Sequence, residues 1–333
     1  MQETKSKSKK DGAKKRVGIL RGGTGAHYTT SLKHGGDIIS HIFENLGDKY
    51  KVVDILIDKD YIWHLGGLAI SPSDLPQKVD IVWNVSHPSF SNILSSLSIP
   101  NVGVSAFSHT LENSKEMLRE HMNKIGVSMP RSIVLPVYQG DFDGPRASPV
   151  DGLRPRERYA IKKAKAVFEK FGSPWIVKSA WSDTSRDRSF TPDSNMAVHL
   201  AHTFNELVAG IEDGVKHQKS ILVEEFIAGK VASVHSVANF RGENVYTFPL
   251  NNFFANFSQN EKEKINALAK DLYIHIGAKH YLKLDFILTP RGKVYLLEFE
   301  STPNLKSHSH FSQACESVGA KMHEVVEHIL EQA

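Results

Sequence analysis

Short apolar runs alternate with longer amphipathic stretches over the first hundred residues, and this alternation limits the possible folds more than any other feature. Residues 17–20 (VGIL) stop at a glycine-rich turn, and comparable runs follow at residues 51–57 and 80–84. Runs of this length predict buried strands, whereas the stretch from about Ser31 and residues 91–97 predict helices. Strands that alternate with helices predict a parallel sheet in an α/β fold.

The regular alternation ends near Leu111, and the rest of the chain predicts a mixture of helices and strands. The predicted helices are residues 113–125, capped by Asn113 or Ser114, then residues 158–171, 195–213 and 259–277, and a last helix from about Phe311. The predicted strands are residues 132–135, 175–178, 220–226, 232–238 and 245–250. Residues 139–156 and 179–193 predict loops, and residues 281–288 with 293–299 predict a hairpin.

The length and composition exclude several classes of protein. A chain of 333 residues is too long for one ordinary core, and 40% hydrophobic with 23% charged residues is a globular composition. The single cysteine, Cys315, excludes a disulfide framework and a cysteine-based zinc site. We find neither a membrane-spanning apolar stretch nor a signal peptide, so we expect a reducing, cytoplasmic compartment.

The net charge of +4 comes from an N-terminal tail, residues 1–16. This tail has seven basic and two acidic residues, whereas the remaining chain has one more acidic residue than basic residues. Such a run is typical either of contact with nucleic acid or an anionic membrane, or of a solvated extension. We expect a disordered, solvated tail and no nucleic-acid partner.

Three carboxylates in the predicted hairpin form the most informative pattern. Glu298 and Glu300 are two residues apart, so in a strand their side chains lie on the same face. If the hairpin forms, Asp285 approaches that face as well. Three carboxylates this close repel one another unless a cation lies among them, and hard oxygen ligands favour Mg²⁺ with phosphate oxygens. The alternative is a set of exposed acids on a strand edge, paired with lysines.

Two lysines and one strand end extend this pattern toward a nucleotide site. Lys178 ends the apolar run 174–177, where a cation is costly without an anionic partner, and Lys115 begins a predicted helix. A lysine ammonium suits phosphate oxygens. The strand that ends at residues 224–227 offers backbone groups and apolar side chains to an adenine ring. Each feature alone also fits a surface charge or a solvated strand end, and only their order along the chain is specific.

This order resembles that of the ATP-grasp superfamily and, within it, the D-alanine–D-alanine ligases. The Gly22-Gly23-Thr24 turn, the strand leading to His87 and residues 301–309 (STPNLKSHS) are similar to segments of that family. The resemblance runs from about Val17 to Leu330. It implies an α/β (α+β overall) ATP-grasp fold of three domains: an N-terminal parallel-sheet domain (17–108), a central subdomain (109–215) and a C-terminal subdomain (216–333).

The resemblance also implies the chemistry. ATP phosphorylates a carboxylate, and an amine attacks the acyl phosphate to give an amide, ADP and phosphate. It implies ATP and two Mg²⁺ ions, with Mn²⁺ as a substitute, because two metals and two lysines neutralise the triphosphate. The implied partners are small amino-acid or peptide substrates and a second copy in a homodimer, and the implied process is peptidoglycan biosynthesis.

By motif match, the resemblance assigns four sets of residues. The ATP-binding set is Lys115, Lys178, Thr184, Ser185, Glu224, Glu225, Phe226 and Ile227. The metal-binding set is Asp285, Glu298 and Glu300. The catalytic set is Lys283, Asn304 and Ser309, and the substrate-binding set is Thr29, His87 and His308.

The sequence departs from the family pattern mainly at residues implied for the amino-acid side. Lys283 replaces an arginine and keeps the charge without the bidentate fork. Glu300 replaces an asparagine, and Thr29 and Asn304 replace a glutamate and a glycine. The loop after Lys178 lacks the glycines that usually cover the phosphates.

The segment that replaces the family's tyrosine-bearing lid is short and aromatic, with Phe253, Phe254 and Phe257. These side chains suit a larger or more apolar substrate, unless they belong to the core. D-alanine is therefore not necessarily the substrate. Two alternatives stay open: an ATP-grasp ligase for another amino acid or peptide, and a nucleotide-binding protein that has lost ligation.

Overall fold

The computed structural model describes residues 14–23, 28–140, 154–180, 196–250 and 256–333. The chain divides into two compact units, the first within Met1–Val104, Val237–Asn244 and Asn304–Ala333, the second within Ser105–Ser236 and Val245–Pro303. The division into three domains stays a prediction. Thr184, Ser185, Phe253 and Phe254 lie outside the described residues, as do the basic tail up to residue 13 and most of both predicted loops.

Most of the described α-helices lie where the amphipathic stretches predict them. In chain order they are α1 Tyr28–Asn45, α2 Ser89–Ser96, α3 Ala106–Asn113, α4 Lys115–Lys124, α5 Pro155–Lys170, α6 Phe204–Lys216, α7 Gln259–His275, α8 His310–Ser317 and α9 Met322–Glu331. Short 3-10 helices cover Pro72–Gln77 and Phe240–Gly242. None of the described helices is both long and apolar enough to span a membrane.

Most of the described strands follow the predicted apolar runs. In chain order they are β1 Lys15–Gly22, β2 Tyr50–Ile57, β3 Trp63–Leu65, β4 Leu68–Ile70, β5 Ile81–Asn84, β6 Asn101–Val102, β7 Ser132–Leu135, β8 Trp175–Ser179, β9 His199–Ala201, β10 Ile221–Glu225, β11 Lys230–Ala238, β12 Val245–Thr247, β13 Tyr281–Leu288 and β14 Val294–Glu300.

One predicted helix is wrong over its first half. Residues 199–201 form β9, which pairs antiparallel with β8, and α6 begins only at Phe204. The helix starts there because Thr203 and Glu206 form a capping box, in which the Thr203 side chain accepts from the Glu206 N–H. The single predicted C-terminal helix is two helices, α8 and α9, and the sequence pattern does not predict α3, β3 and β4.

The first unit contains the predicted parallel sheet, in the order β4-β3-β2-β1-β5-β6 over the described residues. β1 pairs in parallel with β2 and β5, and β5 with β6, whereas β3 and β4 extend the sheet as antiparallel strands. Its core includes Leu20, Ile55, Trp63, Phe90 and Leu94.

The turn after β1 requires glycine. Gly22 and Gly23 have φ of +89° and +95°, and a Cβ on Gly22 would lie 2.1 Å from the Ile57 carbonyl oxygen. Ser31 accepts the Gly22 N–H at 2.9 Å, and Ser86 donates to the Gly22 carbonyl at 2.8 Å. The carboxyl ends of β1 and β5 are therefore held together.

The second unit contains two sheets over the described residues, β7-β10-β8-β9 and β12-β11-β13-β14. The first sheet is antiparallel and packs against α5 and α6 around Trp175, Val177, Leu207 and Ile211. In the second, β13 and β14 form the predicted hairpin. Phe257, from the segment that replaces the lid, is buried, which favours core packing for this phenylalanine.

We expect Gly229→Ala to destabilise the protein by about 1–3 kcal/mol, because the added methyl group has no room. A Cβ at Gly229 would lie 2.4 Å from the Leu288 carbonyl oxygen and 2.7 Å from Ile287 Cγ2. Denaturant unfolding measures the loss. Gly172→Ala is the control, since nothing lies within 4 Å of its added Cβ. Equal unfolding free energies for the two variants would contradict the close approach of Gly229 to β13.

Candidate active site

The predicted carboxylate cluster forms on the β13–β14 hairpin. Lys283 lies opposite Glu300 and Asp285 opposite Glu298 in the strand register. One oxygen from each of Asp285, Glu298 and Glu300 lies within 4.8 Å of the others, and no other group of three or more such ligands occurs among the described residues. Asp285 is buried and the two glutamates are half-buried. Their hard carboxylate oxygens suit a Mg²⁺ ion, so the residues fit the metal that the sequence implies.

A bulge in the hairpin brings the first predicted lysine to this cluster. The register shifts after Asp285, so that Leu297 is the extra residue on β14. The Leu297 carbonyl accepts from Lys115 Nζ at 2.7 Å, and Nζ lies 3.6 Å from Glu298 Oε2. Burial lowers the pKa of Lys115, and the attraction of Glu224 and Glu298 only partly offsets it. Lys115, the first residue of α4, thus connects this helix to the β13–β14 hairpin.

The second predicted lysine is paired in the neighbouring sheet. Lys178 on β8 lies 2.6 Å from Glu224 on β10, and Glu224 is buried. The electrostatic neighbours of Lys115 include both Lys178 and Glu224. The structure therefore brings together two lysines, the end of β10 and the carboxylate cluster, as the order along the chain predicts.

The predicted adenine segment is held by a residue that the sequence reading missed. Arg131 forms two hydrogen bonds with the Glu225 carboxylate, at 2.8 and 2.9 Å, and its carbonyl accepts the Glu225 N–H. Phe226 donates its N–H to the Pro174 carbonyl and is 39% exposed. The Glu225 side chain therefore serves to fix the end of β10, while the Phe226 ring is accessible.

Lys283 contacts two of the predicted metal ligands. Its Nζ lies 2.9 Å from Asp285 Oδ2 and 3.1 Å from Glu300 Oε1, and the side chain is buried. Ser233 donates to the other Asp285 oxygen at 2.5 Å. Burial disfavours the charged lysine, but the attraction of Asp285 and Glu300 outweighs it and raises the pKa of Lys283. The Lys283 ammonium therefore compensates part of the negative charge of Asp285 and Glu300.

Glu112, at the end of α3, is a second residue that the sequence reading missed. Its carboxylate accepts from both the N–H and the hydroxyl of Ser301, which directly follows Glu300. Burial raises the pKa of Glu112 to about 7, nearby Glu300 adds to the rise, and the Ser301 hydrogen bonds oppose it. No sequence motif marks this acid, because its partner is 189 residues away.

The three residues predicted to bind the substrate, Thr29, His87 and His308, lie in the first unit. Thr29 is exposed in the first turn of α1, and His87 follows β5. The turn that carries His87 is organised by buried Asn84, which donates to the His87 carbonyl at 3.2 Å and to Ser91 Oγ at 2.8 Å. His87 Nδ1 contacts Ser89 Oγ at 2.8 Å.

The segment before α8 forms a compact turn. Ser309 donates to the Asn304 carbonyl at 2.9 Å and caps α8, while the Asn304 side chain accepts the Lys306 N–H at 3.1 Å. His308 is exposed with φ of +61°. A cavity of about 600 Å³ in this unit is lined by His308 and α1, but not by Thr29 or His87.

Comparisons with known sequences find similar proteins of one kind. Residues 245–331 match the family model described as D-ala D-ala ligase C-terminus. A D-alanine–D-alanine ligase of Fervidobacterium nodosum is 23% identical, over 95% of this chain and 98% of its own length.

Comparisons with solved structures find the same fold. The D-alanyl-alanine synthetase A of Vibrio cholerae has a TM-score of 0.66 at 17% identity, covering 96% of this chain and 98% of its own. A D-alanine–D-alanine ligase of Bacillus anthracis complexed with ATP has a TM-score of 0.62 at 16% identity, covering 96% of each chain. These matches confirm the predicted fold class.

We expect Glu112→Gln to gain stability relative to the parent as the pH rises. A folded-state pKa of about 7, above the ordinary 4.5, means that the folded parent binds more protons than the unfolded chain between these values. The free energy of unfolding of the parent therefore falls by up to about 3 kcal/mol as the pH rises through this range. The isosteric amide of Glu112→Gln does not titrate, so its contribution stays constant. Denaturant unfolding at about pH 5 and about pH 8 measures the difference.

Glu169→Gln is the control for this prediction, because Glu169 is an exposed carboxylate on α5. Its stability difference from the parent should be the same at both pH values. If the Glu112→Gln difference is also independent of pH, Glu112 titrates as an ordinary carboxylate.

Proposed function

We propose that this chain, a D-alanine–D-alanine ligase-like protein with the ATP-grasp fold, is an ATP-dependent ligase that joins two amino acids through an acyl phosphate. The observation that carries the proposal is the convergence of Lys115 and Lys178 with a three-carboxylate cluster in one compact unit. A triphosphate needs this combination, because lysines bind phosphate oxygens and the carboxylates hold the metal that accompanies them.

The two lysines would bind the phosphates. Lys115 and Lys178 each contact a carboxylate, Glu298 and Glu224, so both are held in place before a nucleotide arrives. Such pre-positioning reduces the entropy that binding costs. Thr184 and Ser185, from the loop after β8, are proposed to add hydroxyl groups on the phosphate side.

The carboxylates Asp285, Glu298 and Glu300 would hold Mg²⁺, and Mn²⁺ has the same ligand preference. When bound, the metal neutralises phosphate charge and polarises the phosphoryl group that is transferred. The end of β10 would hold the adenine: Glu224, Glu225, Phe226 and Ile227 supply backbone groups, and the exposed Phe226 ring supplies an apolar face.

The residues proposed for the amino-acid side are Thr29, His87 and His308 for binding, and Lys283, Asn304 and Ser309 for the reaction. Lys283 would supply positive charge near the transferred phosphoryl group, and Asn304 and Ser309 polar groups near the oxyanion. A product of this kind would serve peptidoglycan biosynthesis in the cytoplasm. A homodimer remains a prediction.

We expect phosphate release when ATP and Mg²⁺ are supplied with a matching pair of amino acids. A panel of D- and L-amino acids, tested alone and in pairs, identifies the substrates. Release with D-alanine alone, as fast as in an ordinary D-alanine–D-alanine ligase, would contradict our expectation that the altered residues change the substrate. Tight ATP binding without release over the whole panel would contradict ligation and leave a nucleotide-binding protein.

Glu298→Ala should lower Mg²⁺-dependent phosphate release by roughly a hundredfold or more, because this carboxylate faces both the metal ligands and Lys115. Steady-state release at several Mg²⁺ concentrations measures the loss. Glu169→Ala, on the exposed face of α5, is the matched control and should retain the parent rate. Parent-like activity of Glu298→Ala would show that the metal assignment is wrong.

A further inference from the structure

Glu298 and Glu300, two of the three proposed metal ligands, lie on an edge strand of the second sheet. Among the described residues β14 pairs only with β13, so the backbone groups on its other side have no strand partner. The ladder ends where Glu300 faces Lys283, and Ser301 follows beyond it. Because a strand end without further pairing opens easily, the position of Glu300 depends on a contact from outside the sheet.

Glu112 provides that contact. One of its carboxylate oxygens accepts the Ser301 N–H at 3.2 Å, and the other accepts the Ser301 hydroxyl. Hydrogen bonds to a charged acceptor are stronger than those between neutral groups. The Ser301 N–H thus finds its acceptor on a side chain where the ladder supplies none. Glu112 therefore fixes the end of β14 directly beside Glu300.

The helix that carries Glu112 is itself anchored. Ser108 lies four residues earlier, on the same face of α3, and is buried. It donates to the carbonyls of Ile276 at 2.7 Å and Gly277 at 3.2 Å, which follow the end of α7. α3 also contacts β14. The Glu112 carboxylate is therefore presented by a helix that is fixed within the same compact unit as the strand it contacts.

The junction between α3 and α4 contacts β14 at two points. Lys115, the first residue of α4, donates to the Leu297 carbonyl at 2.7 Å. Glu112, three residues earlier, accepts from Ser301. Both proposed metal ligands of β14 lie between these two points. The junction thus fixes the segment that carries them at each of its ends.

We infer that Glu112 is a positioning residue that fixes the end of β14 and so holds Glu300 for the metal ion. This inference rests on the proposed function and makes it more specific. Glu112 is not among the three carboxylates whose oxygens lie within 4.8 Å of one another, so it acts on the ion through Glu300. Groups that orient a ligand without touching the metal contribute about 10- to 100-fold to metal affinity.

The test measures how tightly the full-length protein binds Mn²⁺ without nucleotide, from the electron paramagnetic resonance signal of the free ion. We expect Glu112→Ala to weaken binding by about 10- to 100-fold, because Ser301 loses both hydrogen bonds. Glu112→Gln should weaken binding by less than about tenfold. Its amide oxygen can accept the Ser301 N–H, and its NH₂ group can donate to the Ser301 hydroxyl. Parent-like binding by Glu112→Ala would overturn the inference.

The two variants also separate position from charge. Both remove the negative charge of Glu112, but only Glu112→Ala removes the hydrogen bonds to Ser301. An equal loss of Mn²⁺ affinity in both would mean that Glu112 acts through its charge, and would overturn the inference. Glu116→Ala is the matched control, since Glu116 is an exposed acid in the first turn of α4, and it should bind Mn²⁺ like the parent.

Ser301→Ala keeps the inference testable if Glu112→Ala does not fold. This variant removes only the hydroxyl donor, so it should weaken Mn²⁺ binding while the N–H hydrogen bond remains. It should also raise the Mg²⁺ concentration needed for half-maximal phosphate release, with a rate near that of the parent at saturating Mg²⁺. Parent-like Mn²⁺ affinity of Ser301→Ala would then overturn the inference.

The outcomes distinguish the inference from the proposed function. If the parent binds Mn²⁺ and releases phosphate from ATP, parent-like Mn²⁺ affinity of Glu112→Ala overturns the role of Glu112 alone. If the parent binds neither Mn²⁺ nor ATP, the proposed function fails and the inference fails with it.

Discussion

The mutual repulsion of Asp285, Glu298 and Glu300 is the constraint around which the second unit is organised. Carboxylates within 4.8 Å of one another are costly unless positive charge is close. Lys283 supplies it from the same strand and Lys115 from the start of α4. The packing of α4 on the β13–β14 hairpin therefore depends on the charges of the cluster, since loss of either lysine leaves carboxylates without a nearby positive charge.

The same charge pattern recurs in the neighbouring sheet. Lys178 and Glu224 form a close pair on β8 and β10, and Arg131 fixes Glu225 one residue further on. The Lys178–Glu224 pair adds little net stability because desolvation offsets much of its attraction, and the pair between exposed Arg131 and Glu225 adds little because water screens it. They fix the positions of charged groups, which a site for a highly charged ligand requires.

Much of this arrangement could be predicted from the sequence because it depends on local patterns. The apolar runs predicted most of the strands. The two-residue spacing of Glu298 and Glu300 predicted that their side chains lie on the same face of one strand. Residues 199–201 were misread as helix, since a three-residue strand has no period of its own. Arg131 and Glu112 could not be found, because their partners are distant in sequence and belong to no motif.

The bulge at Leu297 has a consequence for how this site tolerates change. Lys115 is anchored by a main-chain carbonyl, and every amino acid supplies that group at position 297. Another side chain at position 297 would leave this hydrogen bond in place, as long as the strand keeps the bulged residue. An insertion or deletion in this strand would move the anchor, so the position of Lys115 depends on the length of the strand and not on the side chain at position 297.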